Sequence, residues 1–233
     1  IQGPICEYIN YLCENTWKGK FYGARMNHTH NHHHEEPKKS IEVRIRQNDW
    51  VQKKEGISRS LRTALKNSHH SVTIIGSYFL PGRRIRKLLK TASARGVKIN
   101  LILQGVSDVS LVRKASIWWY AWLLRNKIEI YEWGKTVLHG KIMLVDNNWA
   151  SVGSYNINHL SDYDSIETNI DTRDPGFCST VKEEMERVMK LSHYVTSSEY
   201  HHKMKPLRQF SCWLSFHTVR ILFGIQSLLL SKE

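Results

Sequence analysis

Between positions 139 and 167 lies a set of residues whose types and spacing suit chemistry on a phosphate ester. In VLHGKIMLVDNNWASVGSYN, His139 and Lys141 flank a single glycine, Asp146 follows, and Gly153, Ser154 and Asn156 close the run. Phosphodiester cleavage calls for a nucleophile or general acid that titrates near neutrality, and for cations and hydrogen-bond donors on the non-bridging oxygens. His139 offers the first; Lys141, the Ser154 hydroxyl and the Asn156 amide offer the second. Gly153 lets the turn that carries them approach phosphate without a side-chain clash. Read as one strand, VLHGKIMLV places His139 and Lys141, two residues apart, on a shared face. An imidazole N–H needs an acceptor to fix its tautomer, and Glu167 in the following IETNI segment is the candidate. The design calls for no metal ion and no other cofactor. A second His-x-Lys, His201 to Lys203, has Arg208 where an Asp would be needed and is set aside.

The elements that must hold these residues alternate in type. IEVRI from Ile41 reads as a strand, ISRSLRTALKNS puts Ile57, Leu61 and Leu65 on one helical face, and SVTIIGSYF is an apolar strand. RRIRKLLKTASA begins after Pro81–Gly82 and ends at Gly96, suited to a left-handed cap. VKINLIL is a second buried strand; a helical stretch from Ser110 to Asn126, the short strand IEIY, VLHGKIMLV, WASVG and IETNI come next, and a helix from about Thr180 to Leu191 closes the domain. The pattern predicts an α/β fold, a layered mixed β-sheet flanked by helices. It is mixed because its last strands are joined too tightly for crossover helices. Ahead of it, Ile5, Ile9, Leu12 and Cys13 mark a short helix, and HTHNHHHEEPKKS reads as a solvated loop. Its histidines lack the fixed scaffold that a metal site needs.

Composition is consistent with one core and an anionic partner. The 233 residues carry 34 Lys and Arg against 21 Asp and Glu, an excess that attracts nucleic acid or acidic lipid alike. Cys6, Cys13, Cys178 and Cys212 are scattered without CxxC pairing, which fits a reducing, cytoplasmic setting better than a disulfide scaffold. The chain opens on Ile1 without a basic and apolar leader, and so reads as the middle of a longer protein.

HGKIMLVD followed by GSYN resembles the signature of the phospholipase D superfamily. The similarity extends through SYFLPGRRIRKLLKTASARGVKINLILQGVSD and IEIYEWGKTVLHGK, segments that look like the second catalytic half of bacterial cardiolipin synthases. The opening IQGP resembles the segment after the first catalytic half in those enzymes. The resemblance implies one lobe of a two-lobed enzyme, the partner set coming from a missing N-terminal half or from a second copy. The reaction would run through a phosphohistidine, with His139 as general acid and then base. It implies Lys141 as the catalytic cation, Ser154 and Asn156 as phosphate binders and Glu167 as the orienting carboxylate; Asp146 belongs to the signature but is assigned mainly to structure. Gly140 stands where relatives often have Ala, and Tyr155 where they have a smaller residue. Tyr78, Phe79 and Pro81 would line the mouth of the site, and packing explains them equally well.

The chain divides into three parts: residues 1–40 as a linking helix and loop, 41–195 as the phospholipase D-like catalytic domain, and 196–233 as an apolar tail. PLRQFSCWLSFHTVRILFGIQSLLL carries Arg220 in its middle, which counts against a membrane span of about twenty apolar residues. A helix lying on an anionic membrane surface is the expectation, and docking on the core the alternative. The implied activity is phosphatidyl transfer on a phospholipid substrate at the cytoplasmic face of the membrane. A phospholipase, or a nuclease of the same superfamily, is the competing reading; nucleic acid is the less favoured substrate.

Overall fold

The computed structural model describes residues 4–17, 40–158 and 165–230; the histidines of the 28–40 loop lie outside them. Two compact units result, Ile1–Ile41 and Glu42–Glu233. The first contributes helix α1 (Pro4–Trp17), on which Tyr8 stacks against Tyr11. The second holds the sheet and the candidate site.

The described strands of this second unit form one mixed sheet. They are β1 (Val43–Asp49), β2 (Lys54–Glu55), β3 (Ser71–Gly76), β4 (Lys98–Val106), β5 (Glu129–Val137), β6 (Lys141–Val145), β7 (Trp149–Gly153), β8 (Ile166–Thr172) and β9 (His193–Tyr194), in the order β2-β1-β8-β7-β6-β3-β4-β5-β9. Only β3–β4 and β4–β5 run parallel. Each of these parallel pairs is joined through helices: α3 (Arg83–Ala94) between β3 and β4, α4 (Ser110–Ile117) and α5 (Tyr120–Arg125) between β4 and β5. Helix α2 (Gly56–Lys66) buries Ile57, Leu61 and Leu65, the face read from the sequence. Its first turn is capped from β1: the Asn48 carboxamide oxygen accepts from the Ile57 and Ser58 amides at 3.0 and 3.2 Å.

Alternation along the strands divides the core in two. On β4, Ile99, Leu101 and Leu103 join the cluster under α2, α3 and α5, whereas Ile102 joins the opposite cluster with Ile75, Leu144 and Ala150. Helix α6 (Pro175–Lys190) covers that second face with Cys178, Met185 and Val188, its start fixed by Asp174 accepting from the Phe177 amide at 2.7 Å. It begins before Thr180 because Pro175 suits a first helical turn.

The structure corrects the sequence reading in several places. The helix expected over Ser110–Asn126 breaks at Trp118–Trp119 into α4 and α5. The short strand IEIY extends to Val137, so VLHGKIMLV is not one strand: Val137 ends β5, Lys141 begins β6, and Leu138 to Gly140 lie between them. A short helix, α7 (Ser197–Lys203), leads to α8 (Pro206–Leu230). No helix among the described residues is long and apolar enough to cross a membrane. Helix α8 docks on the core: Cys212, Ser215 and Val219 are buried, and the Phe216 ring sits 6.5 Å from Trp118 and 5.3 Å from Trp119. Its other side remains apolar and exposed at Leu207, Phe210, Leu214 and Ile221. The docked residues and the exposed apolar residues thus lie on opposite faces of a single helix.

Candidate active site

Register brings the candidate residues to one end of the sheet. Gly76, the last residue of β3, pairs with Lys141, the first of β6; Ile142 pairs with Val152, and Gly153 with Asn169 of β8. This is also the carboxyl end of the parallel strands β3 and β4, where the backbone leaves the sheet and opens room for a ligand. A small hollow there is lined by Lys141, Asn156, Gly76, Tyr155, Ser151 and Asn169.

His139 reaches this end by a different route from the one its spacing implied. It precedes β6 rather than lying in it, so the shared-face argument does not apply. Lys141 instead folds back, its Nζ donating to the His139 carbonyl at 3.1 Å. Gly140 permits the passage: a Cβ there would come within 2.9 Å of Ile75 Cγ2. The Ser77 hydroxyl donates to the Gly140 carbonyl at 3.2 Å and pins the segment. The His139 ring is exposed and meets Tyr78 edge to face, with centroids 6.0 Å apart. Burial pulls the Lys141 ammonium below its ordinary pKa, against the opposing pull of the Glu167 and Asp108 carboxylates.

Ser154 and Glu167 are joined directly: the Ser154 hydroxyl donates to the Glu167 carboxylate and accepts from the Thr168 amide at 3.1 Å. Ser165 also donates to Glu167, at 3.0 Å. The imidazole of His139 is packed on Tyr78 and makes no hydrogen bond to Glu167, so the orienting role expected of that carboxylate is not seen in this geometry. Gly153 is required for another reason than the one anticipated. A Cβ there would overlap Asn169 Oδ1 and the Thr168 carbonyl and lie 2.6 Å from Asn169 Cα, so the glycine serves the approach of β7 to β8.

Asp146 stands at the opposite end of β6 from Lys141. It opens the β6–β7 turn at φ 50°, with Asn147 at φ 53°. Its carboxylate accepts from the amides of His69, His70 and Ser71 at 2.9, 2.7 and 2.8 Å, tying the α2–β3 turn to the β6–β7 hairpin. Partial burial pushes this carboxyl up, and the three amides outweigh it and hold the group below its ordinary range.

Two residues at this end were not singled out from sequence. Asn169 braces the Ser154 turn, accepting from the Tyr155 amide at 3.2 Å and donating to Ser151 Oγ at 3.0 Å. Its signal was available: Glu167, Asn169 and Asp171 are polar at period two, marking a polar face on β8. Asp108, just beyond β4, carries no such pattern. Among the described residues, the end of the sheet offers one imidazole, one ammonium, and hydroxyl and amide donors, the components for binding a phosphate and moving one proton.

Comparison with known proteins bears on the family of the chain. The family model described as "Cardiolipin synthase, PLD-like domain" matches residues 61–189. Cardiolipin synthase B of Escherichia coli (strain K12) is 31% identical over 193 residues, 81% of this chain and 46% of that protein. Cardiolipin synthase 2 of Staphylococcus epidermidis is 30% identical over 152 residues, 65% of this chain and 30% of that protein. The chain thus spans less than half the length of these relatives. Among solved structures, the phospholipase D family member Nuc of Salmonella typhimurium superposes with a TM-score of 0.57 at 16% identity, covering 68% of this chain and 100% of Nuc. Phosphatidylserine synthase of Haemophilus influenzae gives 0.59 at 12% identity, covering 80% and 47%. These last two share the fold. With the family model matching more than half of its residues, the chain belongs to the phospholipase D-like domain family of the cardiolipin synthases.

Proposed function

We propose that this chain is one lobe of a phosphatidyltransferase that moves a phosphatidyl group onto the hydroxyl of an acceptor lipid through a phosphohistidine. The observation that carries the reading is the convergence of His139, Lys141, Ser154, Asn156 and Glu167 on the carboxyl end of β3 and β4. A double displacement needs a nucleophile on one side of phosphorus and an acid on the other, and this set supplies one imidazole. The partner lobe's histidine attacks phosphorus and the P–O bond to the leaving alkoxide breaks; His139 donates the proton that alkoxide takes up. His139 then accepts the proton of the incoming hydroxyl as that oxygen displaces the partner histidine. Lys141, Ser154 and Asn156 hold the non-bridging oxygens throughout. Glu167 acts through Ser154, its hydrogen-bond partner in the structure.

The lipid substrate and the membrane setting rest on the named relatives and on α8, whose exposed Leu207, Phe210, Leu214 and Ile221 recur at helical spacing. No Asp or Glu occurs between Glu199 and Glu233, whereas Lys203, Lys205, Arg208 and Arg220 do, a balance that favours anionic headgroups. The test is to supply the full-length protein with radiolabelled phosphatidylglycerol and, separately, with supercoiled DNA. Labelled transfer product is expected. Release of phosphatidic acid without transfer would make it a phospholipase, and DNA nicking without lipid turnover a nuclease.

A further inference from the structure

The exposed His139 ring meets the ring of Tyr78, whose own position is fixed by a residue beyond β4. Tyr78 follows β3, and its hydroxyl reaches the Asp108 carboxylate beyond β4, at 2.8 and 2.7 Å to the two oxygens. The neighbouring Ser107 hydroxyl accepts from the Val109 amide at 3.1 Å, which stiffens the short loop that carries Asp108. The phenol therefore has a fixed end, and the ring between that end and β3 lies at 78° to the imidazole of His139. An edge-to-face pair has directional preference as well as contact area, so a tethered Tyr78 restricts how the imidazole can turn.

We propose that Tyr78 and Asp108 form a positioning pair for His139, restricting the imidazole through the ring of Tyr78 while Asp108 holds that ring in place. The proposal rests on the catalytic reading of His139 and extends it to two residues in the segments that follow β3 and β4. Burial and the neighbouring Asp108 charge push the Tyr78 hydroxyl up to about 12, so it remains a hydrogen-bond donor throughout the neutral range. The Asp108 carboxyl is correspondingly held below its usual range, by the Tyr78 hydrogen bond foremost and by the His139 charge among the lesser causes. Among the described residues, the charged and titratable groups that share this neighbourhood with His139 are Asp108, Tyr78, Lys141 and Glu167. A tether of this kind suits a histidine that must present its proton to a leaving oxygen and take one back along nearly the same line.

The test needs no turnover and uses the full 233-residue chain with labelled histidines, His139 being assigned by the signal that His139→Ala removes. Tyr78→Leu should abolish the ring-current shift on the imidazole carbon-bound protons and broaden them. Tyr78→Phe keeps the ring and cuts the tether, and Asp108→Ala cuts it from the other side; both should give the same intermediate change. The double variant Tyr78→Phe/Asp108→Ala should be no worse than either single change, because both remove one bond. In the complete enzyme each single variant should lower kcat about tenfold with KM little altered, the equivalent of one charge-assisted hydrogen bond acting on the reacting geometry. Unchanged His139 signals in a folded Asp108→Ala chain, or effects that add in the double variant, would overturn the proposal. Because the spectra are read without substrate, failure of the phosphodiester reading, seen as full turnover in His139→Ala, remains a separate result.

Discussion

Gly153 sets the approach of β7 to β8 beside the site, and Asp146 ties the hairpin at the far end of β6. Since the added methyl of Gly153→Ala would overlap β8 backbone, that variant should lose about 3 kcal/mol of stability in denaturant unfolding, with an unchanged slope. Asp146→Asn is a sharper probe, because asparagine tolerates the positive φ and only the charged acceptor is lost. With partial solvent exposure discounting the three amide bonds, the expected cost at pH 7 is about 1 kcal/mol. The folded-state pKa of Asp146 is depressed, so its contribution is complete above the unfolded value of about 3.9 and is lost as pH falls through the folded value. The gap between wild type and Asp146→Asn should therefore close in strong acid, and a gap that persists there would assign the loss to the turn instead. His139→Ala and Lys141→Ala in the complete enzyme should each cost about 3 kcal/mol or more of transition-state stabilisation without unfolding it. Near-normal kcat/KM in either would contradict their roles. That these residues form one candidate set was legible because His139, Lys141, Ser154 and Asn156 are distinct side chains at short spacing. The way they meet was not: whether His139 lies inside a strand depends on where β5 stops, which hydrophobic pattern alone leaves open.

At the scale of elements, α8 has both a docked face and an exposed apolar face, whereas docking and membrane contact stood as alternatives in the sequence. A helix with Cys212, Ser215 and Val219 on one side and Leu207, Phe210, Leu214 and Ile221 on the other has no single apolar face, so periodicity could not say which side meets protein. Phe216→Ala empties the contact with Trp118 and Trp119 and should cost about 2 kcal/mol, a reduced core value because the ring is only partly buried. Leu214→Glu, on the exposed side, should leave thermal stability within experimental scatter while weakening cosedimentation with vesicles containing phosphatidylglycerol. If Leu214→Glu lowers stability as far as Phe216→Ala and vesicle binding is untouched, the outer face packs against protein and the proposed membrane contact fails. The sheet itself was largely legible, because the buried strands β3 and β4 and the helices α2 and α3 each have a clear period and clear end signals. The break at Trp118–Trp119 was hidden, since every residue there is compatible with a continuous helix and tertiary packing makes the choice.

For the whole molecule, the chain spans less than half of its cardiolipin synthase relatives, and its described site presents a single His-x-Lys set at the end of one sheet. A site that opens at the edge of one lobe can work on both sides of phosphorus only if another surface brings the opposing histidine. That only one complete set occurs in the 233 residues was legible by count. Whether an opposing set would come from a preceding half or from a second copy is not written in residues 139–167, because contacts between lobes would involve surfaces without a local signature. The most direct measurement mixes this polypeptide with a separately produced N-terminal half and follows radiolabelled phosphatidyl transfer, alongside each half alone. The account predicts no turnover by residues 1–233 alone, transfer on mixing, and loss of that transfer when the chain carries His139→Ala. Turnover by a monomeric 1–233 chain, or undiminished transfer with His139→Ala, would contradict it.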